Sequence, residues 1–218
     1  DASNGGNITL LGGTSITTSG GKQVFWADSD ISGAGSITSF NSSANYGLLT
    51  TNGGDIVMGG GAGVASPTGA ANGQYGVNLS YATLNAGTGD ITMSGISSST
   101  VDYGIGLRFF SGTSLAGRNI TLTGTGAPNT AAKVGNWGIG LEGVSITGSG
   151  ILTLTGTGGG SGSTGNNNHG VLVYNSTITG TGSGAVTVTG TGGGKSGAGT
   201  NNDGVNVSGT STVKSAAG

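Results

Sequence analysis

Ile120-Thr121-Leu122-Thr123-Gly124-Thr125-Gly126 decides the fold, because the chain spells it again. It returns as Leu152-Thr153-Leu154-Thr155-Gly156-Thr157-Gly158 and as Val186-Thr187-Val188-Thr189-Gly190-Thr191-Gly192. The steps, 120 to 152 and 152 to 186, are 32 and 34 residues. A repeat at that period, built on alternating aliphatic and Thr residues, is one supersecondary unit stacked many times. Alternation assigns faces: Ile120/Leu122, Leu152/Leu154 and Val186/Val188 point one way, and Thr121/Thr123 and their counterparts point the other. Ile91/Met93 and Ile56/Met58 extend the aliphatic column upstream.

A second motif follows the first in each repeat. It reads Tyr75-Gly76-Val77-Asn78-Leu79, Tyr103-Gly104-Ile105-Gly106-Leu107, Trp137-Gly138-Ile139-Gly140-Leu141, His169-Gly170-Val171-Leu172-Val173 and Asp203-Gly204-Val205-Asn206-Val207. Tyr46-Gly47-Leu48-Leu49 reads as a looser, earlier copy. A third, shorter motif comes next: Thr83-Leu84, Ser114-Leu115, Ser145-Ile146, Thr177-Ile178 and Thr212-Val213. Three short strands per coil, with aliphatic ladders inside and Gly, Asn and Ser at the corners, predict a parallel β-helix. We expect all-β structure in about six or seven coils of roughly 30–34 residues. Parallel crossovers make the expected hand right. Residues 1–218 read as one domain, less regular over 1–55 and regular over 56–218. Loops 124–136, 156–168 and 190–202 have equal length and should lie over one another; the loop at 59–74 is longer.

Composition narrows the functions. The chain has 218 residues, 52 Gly, no Cys, 6% charged residues and a net charge of −2. Gly without a triplet period excludes collagen, and the aliphatic alternation argues against disorder. There is no basic run to neutralise phosphates and no thiolate for metal or nucleophilic chemistry. No apolar run reaches membrane-spanning length. Low charge with abundant Ser, Thr, Asn and Gly suits a secreted or cell-surface protein.

Gly6-Asn7-Ile8-Thr9-Leu10, Gly89-Asp90-Ile91-Thr92-Met93 and Arg118-Asn119-Ile120-Thr121-Leu122 match a G-[ND]-I-T-[LM] strand signature. On these strings the chain resembles the repeat region of filamentous-haemagglutinin-like adhesins of two-partner secretion systems. The resemblance implies a secreted right-handed β-helix that forms a stalk or fibre and mediates adhesion. The family's amino-terminal secretion-domain motifs are not found, so the expectation is a length of shaft.

Each candidate for chemistry has a structural counterpart. Asp28 and Asp30 alternate around Ser29 and could serve as acid and base, or simply form a polar corner before Ile31. The residues before the repeated Gly, Tyr46, Tyr75, Tyr103, Trp137, His169 and Asp203, would stack about 4.8 Å apart. Such a ladder can bind sugars or a flat surface. Its parity matches the buried Val and Leu positions, which instead makes it a closure of the corner where the loop leaves. Asp55 and Asp90 precede the strand Ile, where Asn7 and Asn119 also sit; stacked carboxylates can hold Ca²⁺, and Asx caps explain the same pattern. The Thr-x-Thr face could order water for ice binding, or be an ordinary exposed β-surface.

The resulting expectation is an extracellular structural or adhesive β-helix, with no catalytic residue, cofactor or metal site. Its partners are copies of itself stacked head to tail, or flanking repeats of a longer chain, and surface glycans; nucleic acid and membrane insertion are not expected. No helical cap is legible before Ile8 or after Val213, which favours end-to-end assembly. The alternatives are a polysaccharide-acting enzyme on the same scaffold and an ice-binding protein.

Overall fold

A computed structural model describes residues 6–27, 35–60, 71–100, 102–128, 133–160, 165–194 and 199–216. Within them the chain winds through the same three-strand cycle again and again. The first rung is β1 (Ile8–Leu11), β2 (Ser15–Thr17) and β3 (Gln23–Ala27); the second is β4 (Ile37–Phe40), β5 (Gly47–Thr50) and β6 (Ile56–Gly60). An added strand, β7 (Ala71–Gly73), precedes β8 (Tyr75–Ser80), β9 (Ala82–Asn85) and β10 (Ile91–Ser97). Then come β11 (Ile105–Phe110), β12 (Ser114–Gly117) and β13 (Ile120–Thr125), followed by β14 (Ile139–Glu142), β15 (Ser145–Gly148) and β16 (Leu152–Thr157). The last two rungs are β17 (Val171–Tyr174), β18 (Thr177–Gly180) and β19 (Val186–Thr191), then β20 (Val205–Ser208) and β21 (Thr212–Ser215).

Like strands pair with like, in parallel. Sheet 1 runs β3-β6-β10-β13-β16-β19, sheet 2 runs β1-β4-β8-β11-β14-β17-β20, and sheet 3 runs β2-β5-β9-β12-β15-β18-β21. This is the expected parallel β-solenoid. Ile120 stands opposite Leu152, and Leu152 opposite Val186. The inward aliphatics from Ile56 through Ile178 are buried in one continuous core, while Thr121, Thr123, Thr155, Thr187 and Thr189 face water. Period-2 alternation therefore sets the inside and outside of each sheet.

The corner between sheets 2 and 3 requires a left-handed residue on every regular rung. Tyr81, Ser111, Gly143, Asn175 and Gly209 hold φ of 47°, 52°, 69°, 48° and 66°. Gly and Asn tolerate that conformation with little penalty, which explains their recurrence there.

Several sequence expectations need correction. Ile8 pairs with Ile37 in sheet 2, so Gly6-Asn7-Ile8-Thr9-Leu10 does not share a column with the matching strings at 89–93 and 118–122. Asn7 accordingly lies apart from Asp55, Asp90 and Asn119; its Oδ1 accepts hydrogen bonds from Ser36 N and Ser36 Oγ. Tyr46 leads into β5 of sheet 3, not sheet 2, and its ring meets Tyr81 edge-on at 5.5 Å. In β11 the second motif is displaced by two residues. Leu107, not Ile105, stands opposite Val77 and Ile139, and Phe109 joins the column of Leu79 and Leu141. A two-residue shift keeps every side chain on its face, so the alternation alone cannot detect it.

The long connection at 59–74 is not purely a loop. Its far end, β7, pairs with Gly95–Ser97 of β10, alongside the Ile56–Met58 pairing with Ile91–Met93. The described parts of the loops at 124–136, 156–168 and 190–202 do stack: Gly126 N donates to Thr157 O, Gly158 N to Thr191 O and Gly194 N to Gly160 O.

Candidate aromatic groove on sheet 2

Sheet 2 turns inward its aliphatics and carries on its outer face Asn78, Arg108, Phe110, Glu142 and Tyr174. Two hollows lie on this face. One, of about 170 Å³, is lined by Tyr75, Tyr103, Ile105, Arg108, Trp137 and Glu142. The next, of about 310 Å³, is lined by Phe110, Ser111, Glu142, Gly143, Tyr174 and Asn175. Glu142 borders both, so the two adjoin as one groove running obliquely across the sheet face.

Trp137 reaches this face because the chain is not yet a strand there. Trp137 N donates to Gly135 O at 3.1 Å, a tight turn that breaks the inward parity expected from Ile139. Its indole Nε1 then donates to Asn167 O at 2.7 Å. The ring lies over Gly140, where a Cβ would come within 2.6 Å of Trp137 Cε3. Tyr103 likewise covers Gly135, meets Trp137 edge-on at 6.5 Å and remains 52% exposed. These two rings are displayed outward rather than closing a buried corner.

Arg108 has no carboxylate partner among the described residues. Its guanidinium sits over the Phe110 ring at 4.1 Å and the Tyr75 ring at 5.3 Å, where the ring faces attract it. Glu142 is likewise in no ion pair among the described residues. Asn78, opposite Arg108 across the ladder, keeps a buried Oδ1 without a hydrogen-bond partner.

Two other members of the sequence-predicted ladder sit apart from the groove. His169 is buried, its ring 6.5 Å from that of Trp137. Burial pushes its pKa below the ordinary value, and the Asp203 carboxylate opposes that shift. Its Nδ1 accepts the Asp203 N–H and lies 3.4 Å from Asp203 Oδ2.

Beneath the aromatics runs a column that the sequence reading missed. Gly104 N donates to Asn136 Oδ1 at 2.9 Å, Asn136 N to Asn168 Oδ1 at 2.9 Å, and Asn168 N to Asn202 Oδ1 at 2.8 Å. Each of these Asn residues immediately precedes the aromatic slot, so the column was visible as Asn136-Trp137, Asn168-His169 and Asn202-Asp203. A matching ladder serves sheet 1. Asp90 N donates to Asp55 Oδ1, Asn119 N to Asp90 Oδ1 and Ile151 N to Asn119 Oδ1. Asp90 also receives both Arg118 Nε and Nη2 at 2.9 Å. These hydrogen bonds from Arg118 hold its pKa below the ordinary carboxylate value. Asp55 Oδ1 and Asp90 Oδ1 thus act as Asx caps, and no cluster of three metal-ligating side chains occurs among the described residues.

Asp28 and Asp30 lie outside the described residues. The outward Thr array on sheet 1 has three columns. Thr125, Thr157 and Thr191 form the third, giving a grid with Thr121/Thr153/Thr187 and Thr123/Thr155/Thr189. No family model, curated protein or solved structure matches this chain.

Proposed function

We propose that this chain is a length of extracellular shaft with an adhesive surface, of the kind formed by filamentous-haemagglutinin-like repeats, and that it extends by adding further rungs at its open faces. The added rungs come from a second copy stacked head to tail, or from flanking repeats of the same chain. The observation that carries this reading is the state of the seventh rung. Val205, Val207 and Val213 are 37%, 51% and 39% exposed, although their counterparts Val171, Val173 and Ile178 are fully buried. Among the described residues, strands β20 and β21 also leave one edge of their sheets without a partner. Another rung would cover these side chains and extend the ladders, a strand-addition contact driven by main-chain hydrogen bonds.

Sedimentation and electron microscopy of the purified chain test this proposal. Rods that lengthen with concentration are expected, and Val207→Asp should abolish them by burying a charge at the junction. Monodisperse single-length particles at high concentration, unaltered by that substitution, count against end-to-end stacking.

The threonine grid favours a second reading, as an ice binder. Its hydroxyls repeat about 6.5–7 Å along the strands and about 4.8 Å between rungs. An ice-recrystallisation assay on the wild type and on Thr155→Lys decides it: equal and negligible inhibition by both excludes the reading.

A further inference from the structure

We propose that the groove on the outer face of sheet 2 is a carbohydrate-binding site for a short neutral oligosaccharide. The inference rests on the adhesive part of the reading above and is independent of end-to-end stacking.

The groove combines three kinds of group that a pyranose needs. Tyr103, Trp137 and Tyr174 present aromatic surface, onto which the C–H face of a sugar ring packs. Among the described residues Arg108 presents planar N–H donors without a carboxylate partner, and Glu142 presents acceptors without an ion partner. Sugar hydroxyls act as both donor and acceptor, so they can satisfy both groups. One cation and one anion leave the groove without a strong charge preference, which selects a neutral ligand over a uronate or sulfated one.

The geometry also sets a minimum length. Tyr75, Arg108, Glu142 and Tyr174 come from four consecutive rungs. Three steps at about 4.8 Å make a run of roughly 14 Å, long enough for an oligosaccharide rather than a single ring. A peptide is a poorer fit, because peptides pair with free strand edges and this surface is the face of a sheet whose strands are paired on both sides. Arg108 is positioned before any ligand arrives: its contacts with Tyr75 and Phe110 restrict it, so less side-chain freedom is lost on binding. Glu142 is the one carboxylate among the described lining residues.

The test is a titration of the 218-residue chain with cellohexaose and with chitohexaose, followed by tryptophan fluorescence in a Trp26→Phe background and by nuclear magnetic resonance shifts. Saturable binding of at least one hexasaccharide is expected. Trp137→Ala should weaken it about tenfold, equivalent to about 1.4 kcal/mol. Arg108→Gln and Tyr174→Ala should each weaken it several-fold. Thr155→Ala, on sheet 1, should leave it unchanged. Tyr174 is 46% exposed, so its substitution keeps the test valid if Trp137→Ala fails to fold. Absence of saturable change with both sugars, or binding unaltered in Arg108→Gln and Tyr174→Ala, overturns the proposal. Tighter binding of a hexauronate than of either neutral sugar overturns the ligand class. Because the titration is done on dilute single particles, its failure leaves the stacking proposal standing, and failure to form rods leaves the groove standing.

Discussion

Asn168 Oδ1 accepts the backbone N–H of Asn136 at 2.9 Å, and both side chains are fully shut off from water. Asn168 Nδ2 donates in turn to Lys133 O at 3.1 Å. One amide thus completes the main chain of a loop that no strand ladder can serve. Asn168→Ala should orphan both main-chain groups, at roughly 1–3 kcal/mol each. Urea denaturation should register the loss. Asn166→Ala, whose exposed Oδ1 receives Thr200 N, should cost less than about 1 kcal/mol.

His169 gives the molecule an acid-sensitive point. Its folded-state pKa lies below the ordinary value of 6.5, chiefly because of burial. The neutral ring is therefore the form the fold favours, and the unfolded chain takes up a proton first as pH falls. Its contribution to stability is complete above about pH 6.5 and declines as pH drops from there through the lower folded-state value. Melting curves between pH 8 and pH 5 should show this decline, and His169→Gln should flatten it.

Gly140 is required by its neighbour rather than by its own backbone. Adding a methyl group there would bring a Cβ within 2.6 Å of Trp137 Cε3. Gly140→Ala should displace the indole from the sheet and break its 2.7 Å bond to Asn167 O. In a Trp26→Phe background, the emission should shift to longer wavelength with only a modest loss in melting temperature. An unchanged spectrum would mean that the ring does not rest on Gly140.

Asp90→Asn and Asp90→Ala should separate the charge of this side chain from its capping role. The Asn variant keeps an acceptor for Asn119 N but loses the Arg118 pair, which is exposed and contributes little. The Ala variant also orphans Asn119 N and should cost about 1 kcal/mol more. Because the Asp90 pKa lies below 3.8, the wild-type advantage from its charge is present above that pH and fades on acidification through the lowered value. Denaturation at pH 7 and pH 3 checks both statements.

The sheets were legible because parallel stacking writes the same strand into the sequence at each turn. Ile120, Leu152 and Val186 declare one column by themselves. Register was legible only where a second marker fixed it. Between Leu79 and Thr83, and between Leu141 and Ser145, the interval is four residues. Phe109 to Ser114 spans five and Leu107 to Ser114 spans seven, so distance to the third motif marks Phe109 as the proper member. The groove was half legible. Tyr75, Tyr103 and Trp137 stood out as a slot, but Arg108, Phe110 and Glu142 carry no motif and meet only through pairing across rungs. Trp137 was assigned the wrong side because strand parity does not extend through the turn at Gly135.

The layer between the second and third rungs has a mechanical consequence. Ladder hydrogen bonds run along the long axis, so tension applied at the two ends loads every layer in series, and the thinnest one yields first. Here the ladder of sheet 2 has two pairs, Ile37 with Val77 and Thr38 with Asn78, backed by hydrogen bonds between Ser39 and Ser80, whereas the other layers of that sheet have at least four pairs each. Under lengthwise tension, sheet 2 should therefore open first at this seam, ahead of the glycine- and threonine-rich rungs above.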